Sequence, residues 1–149
     1  MKRFNFRLDQ VRKWRQDQAE LEEMRLQQLY SELRVIEARR KAIVAEADRS
    51  RRELVAQQSV SAEELSFLEA FRAYANDQIR QLGLKEREME VRIKEQRRLL
   101  MEAHRRFQLL DGLRDKAMVT WTAACDKEQE EVAAELFLAK RNRTVDRVE

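Results

Sequence analysis

The sequence predicts an all-α protein built as a long antiparallel two-helix coiled-coil hairpin with a short helical segment at its tip. Three observations predict it. The 149 residues contain no proline and only two glycines, too few chain-turning residues for most β or mixed folds. Charged residues make up 40% of the chain, with 31 Lys plus Arg against 28 Asp plus Glu. A chain so polar cannot wrap a thick core, whereas a seam between two helices needs only about two apolar positions in seven. Finally, apolar residues recur at alternating steps of three and four over two long stretches, which argues against disorder in a chain of this polarity.

The first arm is expected over 5–57. It opens with Phe4, Phe6, Leu8, Val11 and Trp14, and either Asn5 or Asp9 could cap it. From Leu26 the heptads are regular, through Leu29, Leu33, Ile36, Arg40, Ile43, Ala47, Ser50 and Leu54. Between Trp14 and Leu26 the apolar residues, Leu21 and Met24, fall out of step, as a stutter would produce.

The clearest interruption lies between Gln57 and Leu65. Ser61 followed by Glu64 reads as a capping box, with Val60 and Leu65 placed for a hydrophobic staple. The chain is expected to fold back near here. A connector over 58–82 then carries a capped helix from Ala62 to about Gln81, with Leu65, Phe67, Leu68, Phe71, Tyr74 and Ile79. Its aromatics are dense for a chain with 7% aromatic residues. They either close the tip or mark a partner surface.

The second arm is expected over 83–141, with seam positions from Ile79 through Leu82, Glu86, Met89, Ile93, Gln96, Leu100, Ala103, Phe107, Leu110, Arg114, Ala117 and Trp121 to Ala124. Val132, Leu136 and Phe137 prolong an apolar face. Gly83 and Gly112 interrupt the pattern at a cost of about 1 kcal/mol each, and Gly83 is the expected hinge. Matching polar with polar layers sets Leu26 opposite Leu110, Arg40 opposite Gln96, Ser50 opposite Glu86 and Leu54 opposite Leu82. That register also brings Trp14 and Trp121 close together. A basic tail, 142–149, closes the chain.

Function classes narrow by the same reading. The net charge of +3 is small and evenly spread, which disfavours a nucleic-acid binder. The basic ends, Lys2, Arg3 and Arg7 at one and Lys140, Arg141, Arg143 and Arg147 at the other, serve either solubility or docking. No apolar run approaches the ~18 residues of a membrane span, and the opening residues lack the apolar core of a signal peptide. The single Cys125 forms no intrachain disulfide, which fits a reducing cytoplasm. It reads as a seam-adjacent packing residue, and His104, in a basic run without carboxylates at ligand spacing, as a solvated helix-face residue. No glycine-rich phosphate loop is present. The expectation is a non-enzyme with no catalytic residue, no metal and no cofactor.

The opening Phe4-Asn-Phe-Arg-Leu-Asp-Gln-Val-Arg-Lys-Trp-Arg resembles the start of the FliJ family of flagellar export proteins. The closing Asp126-Lys-Glu-Gln-Glu-Glu-Val-Ala-Ala-Glu-Leu with its basic tail is similar to that family's end. Length, polarity and an aromatic helix after a mid-chain break also fit. The resemblance implies a cytoplasmic, non-catalytic coiled coil of the flagellar type III secretion apparatus, held at the inner membrane by protein partners. Those partners are the hexameric export ATPase, the cytoplasmic domain of the membrane export gate, and export chaperones with their substrates. It implies an ATPase contact at Phe4, Phe6, Leu8, Val132, Leu136, Phe137, Lys140 and Arg141. It implies a gate contact at Phe67, Phe71, Tyr74 and Ala75, with Ile43 as a further position. Where the family often has tyrosines late in the first helix, this chain has Glu46 and Ser50, a departure that weakens the transfer to Ile43. The alternatives are the corresponding stalk protein of an injectisome and a homo-oligomeric coiled-coil scaffold.

Overall fold

The computed structural model describes residues 3–145, the side chains of 144 and 145 excepted. Lys2 and Arg147, counted above among the basic ends, lie outside the described residues, as does the second half of the 142–149 tail. Two helices account for nearly all of the rest: α1, Asp9–Val55, and α2, Ala62–Val145. No strand occurs among the described residues. The two long helices pack against each other as a helical hairpin. The chain divides into two compact units: unit 2 comprises Ala19–Glu102, and unit 1 comprises the N-terminal residues to Gln18 with the chain from Ala103 onward.

Unit 2 contains the turn. α1 frays through Ala56, whose N–H donates to the Arg52 carbonyl, and Gln57, whose N–H donates to that of Leu54. Six residues, 56–61, then reverse the chain. The restart at Ser61 is the expected capping box. The Ser61 hydroxyl accepts from the Glu64 N–H at 3.2 Å, and the Glu64 carboxylate accepts from the Ser61 N–H at 3.0 Å. Two of the donors that a helix start leaves unpaired are thereby satisfied.

The capped helix does not end near Gln81. It continues as α2 without a break at Gly83 or Gly112, and no residue among those described has positive φ. The expected 58–82 connector is therefore a six-residue turn followed by the first turns of the second arm. One glycine inside a helix costs about 1 kcal/mol, too little to stop a helix that its seam holds on both sides.

A tighter turn moves the register. Arg40, expected opposite Gln96, instead reaches Glu86, with Nε 3.0 Å from the carboxylate. Gln96 is buried and donates its side-chain N–H to the Glu22 backbone carbonyl at 3.1 Å, and also to the Glu22 carboxylate. Arg97 donates to the Tyr30 hydroxyl and lies 5.5 Å from the ring centroid. The polar residues still meet polar partners, but not the ones a long connector would have aligned.

On α1 the expected positions from Leu26 to Leu54 are all buried or half-buried. N-terminal of Leu26 there is no stutter. Among the covered positions, Arg12, Arg15, Ala19 and Glu22 keep strict steps of three and four, with Gln18 partly covered beside Ala19. Leu21 and Met24 are exposed at 39% and 68%. The slip read from apolar residues is a regular seam filled by Arg, Ala and Glu. A stutter does exist on α2, where Phe71, Ala75 and Ile79 follow at two successive steps of four before Leu82.

Every buried apolar residue among those described belongs to unit 2: Ala19, Leu26, Ala75, Leu82, Met89 and Ile93. Unit 1 is held by partly covered contacts. α1 starts at Asp9, four residues later than expected, after a turn in which the Asp9 N–H donates to the Phe6 carbonyl at 3.1 Å. Neither expected cap operates, because Asn5 precedes this turn and Asp9 is already helical. The Asp9 carboxylate binds Arg12 and Lys13 instead. Arg12 also spans to Asp111 of α2 at 3.2 Å. Phe4 packs edge-on against Trp121 with ring centroids 5.8 Å apart. Trp14 is 51% exposed, with the Arg15 guanidinium 4.7 Å from its ring centroid.

Candidate functional site

Each unit presents an apolar surface that its own helices leave uncovered. In unit 2 the turn brings the end of α1 beside the start of α2, and the seam has not yet closed there. The result is an open groove of about 650 Å³. Ser50 and Leu54 line it from α1, and Leu68 and Phe71 from α2. Phe67 sits at its mouth with 74% of its surface exposed. Glu46, Glu53, Glu63 and Glu64 stand around it, and no Lys or Arg lines it.

The expected gate-contact residues divide accordingly. Phe67 and Tyr74 are exposed, at 74% and 59%. Phe71 is half-buried, forming groove floor and seam at once. Ala75 is 1% exposed, buried at a seam position of α2. Ile43 is half-buried in the α1 seam. Sequence reasoning missed Glu46, Glu53 and Glu63 as a common rim, although the six-residue turn is what gathers them.

In unit 1 the exposed surface lies on the last turns of α2. From Asp126 to Arg143 every residue is exposed, including Val132 at 50%, Leu136 at 66%, Phe137 at 67% and Leu138 at 53%. Lys140 and Arg141 follow on the same helix, each engaged in interactions of its own. The expected ATPase-contact set is thus only partly a free surface. Phe4 and Phe6 are half-buried, Phe4 being committed to Trp121, and Leu8 is 38% exposed.

The electrostatics are those of solvated helix faces. The Arg12 and Lys13 side chains hold the Asp9 carboxyl below its ordinary value, and Arg98 does the same for Glu95. Among the described residues no group of three or more His, Cys, Asp or Glu is placed to hold a metal ion, and no helix is long and apolar enough to cross a membrane. Cys125 is half-buried on the α2 seam, where the expected Ala124 is exposed. Comparison with known protein families, curated proteins and solved structures gives no match.

Proposed function

We propose that the chain is a non-catalytic coupling component of the bacterial flagellar type III export apparatus. In this reading it binds the hexameric export ATPase and the cytoplasmic domain of the membrane export gate, and assists delivery of substrates and their chaperones. It acts in the cytoplasm, at the inner face of the membrane at the flagellar base. The observation that supports this best is the paired-helix hairpin with separate exposed apolar surfaces, one beside the turn and one on the last turns of α2. A chain with no other role than to fold has little reason to leave Phe67, Tyr74, Leu136 and Phe137 in water, since large exposed apolar patches mark partner sites. Phe67 and Tyr74 form the gate contact, and Val132, Leu136 and Phe137 the ATPase contact.

Pull-down from cell extract tests the first partner: recovery of a rotary-type ATPase with the wild-type chain, and its loss with Leu136→Ala/Phe137→Ala, is the expected result. Phe67→Ala/Tyr74→Ala is expected to impair swimming and secretion while circular dichroism stays helical, because both side chains are exposed. Normal motility in that variant refutes the gate assignment. Gene neighbours separate this reading from an injectisome stalk. A second reading, a homo-oligomeric scaffold, is favoured by the uncovered Val132–Leu138 stretch, which could pair with a second copy. Sedimentation equilibrium decides it: a stable dimer that Leu136→Ala/Phe137→Ala dissolves supports the scaffold.

A further inference from the structure

From the acid-rimmed groove at the turn, we infer a specific partner chemistry: it takes a cationic peptide segment of another protein, with one bulky apolar side chain entering between Leu54, Leu68 and Phe71. The inference rests on reading the turn as a docking surface and adds the chemical identity of what docks. Apolar lining supplies the anchor site, and Phe67, 74% exposed at the mouth, is placed to close over the entering side chain. Affinity at such interfaces concentrates in one well-packed apolar anchor, while surrounding charges choose the partner.

The rim fixes the sign of that choice. Glu46 and Glu53 come from α1, and Glu63 and Glu64 from the first turn of α2. Glu64 is occupied by the capping box, which leaves Glu46, Glu53 and Glu63 as the rim carboxylates that no cation of the chain neutralises. The nearby Arg49, Arg51 and Arg52 belong to α1 but do not line the groove. An anionic membrane surface or a nucleic acid would be repelled. Two copies joined groove to groove would set like charges against each other, because a two-fold interface presents the same patch twice. Lys and Arg side chains on an extended or helical segment match the rim and can lay their aliphatic stems along its apolar wall.

The test is a fluorescence-anisotropy titration of the full chain with two synthetic probes. One is a fluorescein-labelled Lys-Arg-Leu-Leu-Lys-Arg peptide, and the other its counterpart with Glu at every cationic position. The cationic probe is expected to bind, and to bind several-fold more weakly when ionic strength rises from about 0.01 M to about 0.15 M, as the Debye length shrinks from ~30 Å to ~8 Å. The acidic probe is expected not to bind. Glu46→Lys/Glu53→Lys/Glu63→Lys is expected to weaken the cationic probe about tenfold or more, since three weak attractions become repulsions. Phe67→Ala should weaken it several-fold with the salt dependence unchanged.

A control reversal in unit 1, Glu128→Lys/Glu130→Lys/Glu131→Lys, should leave binding within about twofold, because those residues line no part of the groove. The inference is overturned if the probes bind alike, if the cationic probe does not bind, if the control reversal weakens binding as much as the rim reversal, or if sedimentation shows copies joined through the groove. Should the rim variant lose helicity, the two-probe and salt comparisons on the wild-type chain still decide. Failure here leaves the export reading intact, because that reading is tested by the ATPase pull-down and by motility.

Discussion

Gly83→Ala tests whether α2 is one helix. Gly83 is helical, has ordinary negative φ, and a Cβ added to it meets nothing within 4 Å. The substitution therefore costs no steric strain and removes the conformational freedom that glycine brings to the unfolded chain. Helix propensity alone gives about 0.8–1 kcal/mol of stabilisation. For a cooperative unit of this size that corresponds to a rise of roughly 4–8 °C in Tm. The assay is urea unfolding followed by circular dichroism, with the midpoint rising at constant m, supported by a thermal melt. Gly112 has the same open surroundings but belongs to unit 1. If the units melt separately, Gly83→Ala should raise the transition of unit 2 and Gly112→Ala that of unit 1. If they melt together, the two increments should add, the sites being far apart on one helix. An unchanged or lowered midpoint for Gly83→Ala refutes the continuous helix and restores a hinge at that position.

Other consequences are open to measurement. Ser61→Ala removes one half of the capping box and should destabilise unit 2 by about 1 kcal/mol, with Ser61→Asp retaining most of the wild-type stability. Arg40→Ala leaves the Glu86 carboxylate, whose side chain is only 13% exposed, without its cation. The pair sits at 3.0 Å, yet that Glu86 oxygen accepts no aligned hydrogen bond, and Arg40 is 42% exposed, so a loss of about 1 kcal/mol is expected. Arg40→Ala/Glu86→Ala should then be more stable than Arg40→Ala alone. Asp9 and Glu95 should titrate by NMR below the ordinary 3.8 and 4.5. A carboxylate with a depressed folded value contributes stability in full above its ordinary value, and that contribution fades as pH falls through the folded value. Asp9→Asn should therefore differ from wild type at neutral pH and converge with it in strong acid. Amides around Leu82–Ile93 should exchange more slowly than those around Ala103–Ala117, because among the described residues the buried apolar ones all lie in unit 2.

The fold class and both heptad faces were legible because a period of three and four, once sustained, admits only a helix with one covered stripe. Leu26 to Leu54 and Leu82 to Trp121 fall where the pattern puts them. The capping box was equally legible, since Ser61 and Glu64 carry a local geometry that no distant contact needs to complete. Three features were not. The seam between Arg12 and Glu22 uses Arg, Ala and Glu, so a search for apolar residues follows Leu21 and Met24 onto the wrong face. The length of the turn is set by whether α2 runs on through Gly83, and a cost of about 1 kcal/mol is small against the burial of Leu82, Met89 and Ile93 on either side of or beyond it.

The register followed the turn. With a long connector, layers of similar polarity match in a displaced alignment that sets Arg40 against Gln96. With six residues between the helices, Arg40 falls within reach of Glu86. The same shortening makes the candidate site. Had the first arm ended and a separate helix folded over it, the aromatics of that helix would have been turned inward to close the tip. Because α2 instead begins at Ala62 and enters the seam only at Leu68, Phe71 and Ala75, Phe67 remains outside the pairing and the carboxylates of both helix ends collect around it. The groove thus results from a helix start that precedes the first covered seam position by nearly two turns. Shifting that start tests the dependence. Inserting residues between Gln58 and Ser61 should leave the seam and helicity intact, because added loop length costs little, while separating Glu46 and Glu53 from Glu63 and weakening the cationic probe. Binding that survives such an insertion unchanged would place the probe elsewhere on the chain.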